Sequence, residues 1–129
     1  MEHSKDYVNK CLQLADEALE DANILWAKRR IRATVNRCYY AMYHAAEAVL
    51  YDKGFKPKTH AGLRTMLGEH IINKGILSKE RGRSLAQAAR LREMSDYEVD
   101  TEIDMDRVDK LVEEAKLFIA EVKRTLGQA

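Results

Sequence analysis

Arg30–Tyr51 reads RIRATVNRCYYAMYHAAEAVLY and contains neither Gly nor Pro. It is long enough for a helix of about six turns at about 3.6 residues per turn. Stepping about 100° per residue separates two faces. Ile31, Val35, Tyr39, Met42, Ala46 and Val49 share one of them, which is what a bundle core requires. Arg30, Ala33, Arg37, Ala41, His44 and Ala48 share the other. Two arginines and a histidine along a lane of alanines predict close approach by another helix there. A two-fold axis between copies would supply one, so a homodimer is expected.

The flanking segments carry the same period. Val8, Cys11, Leu12, Ala15, Leu19, Ala22 and Trp26 predict a helix over about Lys5–Ala27, with Ser4 as its N-cap. A break at Lys28–Arg30 is placed by position and charge, since no Gly or Pro marks it. The second helix ends near Asp52, with Gly54 as a left-handed cap. Phe55–Lys58 is a short extended connector around Pro57. Thr59 then caps a third helix over His60–Asn73, with Leu63, Met66, Leu67, His70 and Ile71 inward and Gly75 after it. Ser78 caps a fourth over Lys79–Ser95, buried through Leu85, Ala88, Leu91 and Met94. Asp96–Glu102 is a polar connector, and Asp104 or Asp106 caps a last helix. Its stripe is Val108, Leu111, Val112, Ala115, Phe118, Ile119 and Val122. Nothing alternates with period two. The reading is all-α: one domain, an antiparallel up-and-down bundle of four main helices plus a shorter fifth.

Composition narrows the function. At 129 residues, 46% hydrophobic and 33% charged, the chain can build a hydrophobic core without staples. Cys11 and Cys38 form no CxxC and read as core thiols. The polar start MEHSKDY and the lack of a long apolar run predict a cytoplasmic protein without a membrane span. Net charge is +1 but unevenly spread. Residues 1–27 carry two basic and six acidic residues, 28–92 fifteen against four, and 93–129 five against eleven. The basic middle suits an anionic partner, and equally suits the acidic helices of its own fold.

No two of the four histidines have the three- or four-residue spacing of helical metal ligands. His60 and His70 lie about 15 Å apart along one helix, too far to share an ion. No phosphate-cradling glycine loop and no Ser or Cys beside a base is present, so no cofactor or metal is expected. The candidates that remain are arginines and tyrosines. Tyr39 faces the core, while Tyr40 and Tyr43 flank the Arg37–His44 stripe, where they can stack on a base or fill the bundle rim. The run Lys28-Arg29-Arg30 with Arg32 can grip phosphates or simply form a solvated turn.

The blocks NRCYYAMYHAAEAVLYDKG, KTHAGL and ARLREMSDYEVD, in that order, resemble the HEPN family (higher eukaryotes and prokaryotes nucleotide-binding domains) over about residues 5–125. The resemblance implies a helical bundle that dimerises and binds nucleotide or RNA. It also implies a partner, a minimal nucleotidyltransferase in a toxin–antitoxin-like pair. Catalytic members are metal-independent ribonucleases with four to six residues between an Arg and a His. Arg37 and His44, with six residues between them, match that spacing. Arg supplies a fixed charge for phosphate, and His can move the 2′-hydroxyl proton. In ribonuclease members the motif lies in a later helix, where this chain reads Arg92-Glu93-Met94-Ser95-Asp96-Tyr97. No His follows, and Asp96 stands about where one belongs. That departure favours an accessory binding module, with Arg30, Arg37, Tyr40, Tyr43, Arg92 and Asp96 as binding residues. The alternative is a ribonuclease toxin with Arg37 and His44 as its catalytic pair.

Overall fold

A computed structural model describes the backbone of residues 2–128 and the side chains of residues 5–128. It consists of α1 (Glu2–Ala27), α2 (Ile31–Asp52), α3 (His60–Leu67), α4 (Lys79–Tyr97) and α5 (Met105–Thr125). Side-chain pairs between helices fix their directions. Asn9 meets Gln128, Asp16 meets Lys123 and Trp26 meets Asp109, so α1 and α5 run antiparallel. Ser78 meets Glu121 and Ser84 meets Glu114, so α4 and α5 do too. Tyr7 packs against Tyr51 at 4.0 Å, while Arg32 reaches the Ser95 carbonyl and Tyr40 lies 5.6 Å from Arg92, so α2 runs antiparallel to α1 and α4. Four long helices thus form an up-and-down bundle, and α3 is the shorter fifth. No described helix is long and apolar enough to cross a membrane.

The centre of the bundle is α2, which packs against all four other helices. Val35, Tyr39, Met42, Ala46 and Val49 are buried, as their face predicts. Ala41 and Ala48 are fully buried too. The alanine lane therefore serves close packing inside this chain, and only Ala33 of its alanines is exposed. Small side chains let neighbouring backbones approach, so a central helix uses alanine on the faces its neighbours cover. The apolar stripe of α5 is buried throughout, and that of α1 likewise except Leu19, which is half-buried. Cys11 and Cys38 are free, buried thiols, and burial pushes each up to about 12.

The turn between α1 and α2 falls where charge and position put it, and its chemistry is unusual. Arg29 takes the left-handed conformation at φ 55°, which costs a non-glycine residue about 1–2 kcal/mol. Its guanidinium bonds the Trp26 carbonyl and sits 4.3 Å over the Trp26 ring, offsetting that cost. Gly54, at φ 89°, ends α2 as predicted.

Several boundaries differ from the sequence reading. Ser4 lies within α1 rather than before it, and its side chain is outside the described residues. Thr59 does cap α3, accepting from Gly62 N–H at 2.8 Å. The third helix stays α-helical only to Leu67. Gly68–Ile72 is a π-helical turn, closed by Asn73 N–H to the Gly68 carbonyl at 2.9 Å. Leu63, Leu67 and Ile71 are buried, but Met66 and His70 are only half-buried, with His70 stacked on Phe55 at 4.1 Å. Ser78 occupies the N-cap position of α4 without capping, its side chain being turned instead to Glu121, to which the hydroxyl donates at 3.0 Å. The fourth helix runs on to Tyr97, with Met94 half-buried. Its extra length has a tertiary cause. Arg32, from α2, donates to the carbonyls of Ser95, Glu98, Val99 and Thr101, the last three at 3.1–3.4 Å, and satisfies the helix end. Asp104 caps α5 through Asp106 N–H at 3.0 Å.

Candidate functional site

The half-exposed stripe of α2 is Asn36, Arg37, Tyr40, Tyr43, His44 and Glu47, spaced three and four residues apart. It is bounded by α3 on one side and the last turns of α4 on the other. Asn36 Oδ1 accepts from Arg37 Nε at 3.1 Å and Nη2 at 2.9 Å, which fixes the guanidinium plane. That plane lies 5.3 Å from the Tyr40 ring centroid. From α4, the Arg92 guanidinium lies 5.6 Å from the Tyr40 centroid and 5.0 Å from that of Tyr39. Asp96, one turn further on, pairs with Arg92 at 3.8 Å, as a helix-terminal ion pair would. Arg92 Nε is nonetheless buried without a hydrogen-bond partner.

Two imidazoles flank the tyrosines. The His44 ring is 6.0 Å from Tyr40 and 5.6 Å from Tyr43, and its Nδ1 meets Glu47 Oε1 at 2.7 Å. The carboxylate orients the ring and leaves Nε2 without a partner among the described hydrogen bonds. His60, the first residue of α3, stacks on Tyr39 at 5.7 Å and against Tyr43 at 4.6 Å. Its Nδ1 lies 2.6 Å from the Tyr39 hydroxyl. Burial, and then the charges of Arg92 and Arg64, lower the His60 pKa below its usual value. Burial raises the Tyr39 phenol despite the same two arginines. At neutral pH a protonated phenol therefore faces a neutral imidazole across this contact. Burial and then Glu47 raise the Tyr43 phenol as well.

Of the residues singled out from sequence, Arg37, Tyr40, Tyr43, His44, Arg92 and Asp96 come together here. Arg30 does not. It is the exposed N-cap residue of α2, about two turns or 10 Å along the axis from Arg37. Glu47, His60 and Arg64 complete the cluster and went unassigned. The sequence held a signal for two of them. His60 and Arg64 are four residues apart behind the Thr59 cap, so they share a face of α3. Only the docking of α3 on α2 says which face that is. Among the described residues, no group of three or more His, Cys, Asp or Glu side chains could hold a metal ion.

An arrangement of this kind can do two things. Tyrosine rings flanked by guanidiniums offer a stacking surface beside fixed positive charge, the combination that holds a base and its phosphate. An imidazole braced by a carboxylate on the same stripe can move a proton.

A family model described as HEPN domain matches residues 8–125. A Methanocaldococcus jannaschii protein named "putative toxin" is 31% identical over 124 residues, 96% of this chain and 92% of that protein. A second from the same organism with the same name is 26% identical over 95% of this chain and 83% of its own length. An Archaeoglobus fulgidus "UPF0332 protein" is 30% identical over 91% of this chain and 93% of its own.

Proposed function

The chain belongs to the HEPN family, and from that premise we propose that it is a toxin-like HEPN module whose α2 stripe binds nucleotide or single-stranded RNA. One observation carries this: Tyr40 lies within 6 Å of two guanidiniums brought from different helices, Arg37 and Arg92. Neither arginine belongs to the hydrophobic core, and the ion pair Arg92 makes with Asp96 is long at 3.8 Å. A phosphate oxygen beside Tyr40 would accept from the two guanidiniums, at the strength of a charge-assisted bond. The module acts as a homodimer and as the partner of a minimal nucleotidyltransferase, to which it presents the bound nucleotide. With Ala41 and Ala48 covered within the chain, the copies meet through another surface than the alanine lane.

A second reading, a metal-independent ribonuclease toxin using Arg37 and His44, is favoured by the 2.7 Å contact between His44 and Glu47. Its weakness is the one visible in the sequence: no histidine follows Arg92.

The test is fluorescence anisotropy with labelled single-stranded RNA at low salt, alongside cleavage assays in chelator. Arg37→Ala and Arg92→Ala are each expected to weaken binding about tenfold or more, the effect of about 1.4 kcal/mol. Unchanged binding in both variants refutes the platform. Cleavage in chelator that is lost in His44→Ala, with its melting temperature preserved, would select the ribonuclease reading. Light scattering at micromolar concentration checks the dimer, and a monomer mass throughout would sink it.

A further inference from the structure

A groove of about 500 Å³ runs between α3 with its π-turn and the first half of α4. Leu67 and Leu85, both buried, form its floor with half-buried Ile72. Arg64, Lys79 and Arg83 stand around it, and no carboxylate lines it. Among the described ion pairs, none involves these three cations. A concave apolar floor under unpaired positive charge fits an anion with a flat apolar body.

Two backbone features keep the groove open. Gly82 contributes no side chain from α4, and a Cβ built there would meet only Ile72, at 3.5–3.9 Å. Opposite it, the π-turn begins at Gly68, where an added Cβ would meet nothing within 4 Å. π-Bulges of this kind interrupt the regular helix ladder at a cost, and they collect at functional sites. Asn73, whose amide closes the turn, also lines the groove and has a side chain suited to base edges.

Arg64 belongs to both places. It lines the groove, and it lies four residues after His60 on the same helix, beside the Tyr39 hydroxyl. We propose that the groove is a second subsite for single-stranded RNA, taking the nucleotides next to the one stacked on Tyr40, with Arg64 holding the phosphate between them. The inference rests on the platform reading and narrows it: the ligand is an oligonucleotide strand, and a mononucleotide fills only half of the site.

The experiment compares adenosine monophosphate, followed by calorimetry, with a labelled RNA decamer, followed by anisotropy across a salt series. Lys79→Ala/Arg83→Ala removes charge from the groove, and Gly82→Leu fills it with the backbone able to accept a side chain. Thermal melts confirm that both are folded. Decamer affinity should fall about tenfold in each. The salt slope of the double variant should drop by about 1.4, at about 0.7 per single-strand phosphate contact. Mononucleotide affinity should stay at the wild-type value. Unchanged decamer binding in both folded variants overturns the groove while leaving the platform intact. An equal loss for both ligands in Gly82→Leu also overturns it, since the groove would then be the mononucleotide site. Arg37→Ala, which should weaken both ligands, reports on the platform alone. A wild type that binds neither ligand at low ionic strength overturns both readings together.

Discussion

Arg81 is the most informative position for stability, because it ties the helix bearing Arg92 and the groove to the rest of the bundle. It lies on α4 with 9% of its side chain exposed, facing Glu114 of α5 at 3.5 Å and Glu121 at 4.0 Å. Replacing it with Ala leaves two carboxylates, about a fifth exposed, without their cation. Breaking a fully buried pair from one side costs about 3–5 kcal/mol. Two features reduce that here. Each carboxylate retains a serine, Glu114 through Ser84 and Glu121 through Ser78, and each reaches water. Arg81 Nε and Nη1 are also buried without hydrogen-bond partners, a desolvation cost that ends when the guanidinium goes. A net loss of about 2 kcal/mol is expected. With about 2.1 cal/mol/K of unfolding entropy per residue, a chain of this length should lose about 7 °C in Tm. The assay is circular dichroism melting, with urea unfolding to confirm that the m-value is unchanged. The companion variant Arg81→Met/Glu114→Gln/Glu121→Gln removes every charge and should recover most of the loss. Arg81→Ala within about 2 °C of wild type would refute the reasoning. So would a triple variant as unstable as the single one.

Two further outcomes follow from the cluster and its supports. Arg32→Ala frees the Ser95 carbonyl at the end of α4 and three more in the connector after it, so amide hydrogen exchange over residues 98–104 should accelerate, with a global loss of about 1 kcal/mol; exchange at the wild-type rate would show that the connector holds itself. His60 gives a pH signature. Its folded pKa lies below the ordinary value near 6.5, so the unfolded chain takes up its proton first as pH falls. The contribution is complete above about pH 6.5 and is lost as pH drops below it toward the lower folded pKa. Wild type should therefore lose more Tm between pH 7.5 and 5.5 than His60→Gln does, and identical pH slopes would contradict the account of Arg92, Arg64 and burial acting on this imidazole.

Fold class was legible because burial on a helix repeats every three or four residues, and a period is a local property of sequence. The stripes of α1 and α5 and the Thr59 and Gly54 caps all follow from chemistry within a few residues, whereas the break after Ala27 is placed by position and charge, and the sequence leaves the last cap open between Asp104 and Asp106. The choice of Arg37, Tyr40, Tyr43 and His44 also came from period, since residues at that spacing share a helix face wherever the helix goes. Elsewhere the answer depends on what packs against what. Period alone cannot say that α2 is covered on several sides, so Ala41 and Ala48 looked like a surface lane. Ser78 has the right chemistry for a cap, yet Glu121, 43 residues away, claims its hydroxyl. Arg32, 63 residues from Ser95, decides how far α4 extends. His60 gains a role only when α3 docks on α2, and Arg92 meets Tyr40 only because α4 runs antiparallel beside it. Local geometry selects the elements. The partners of charged and aromatic side chains are set by helix directions and contacts over long separations, which no short stretch of the chain encodes.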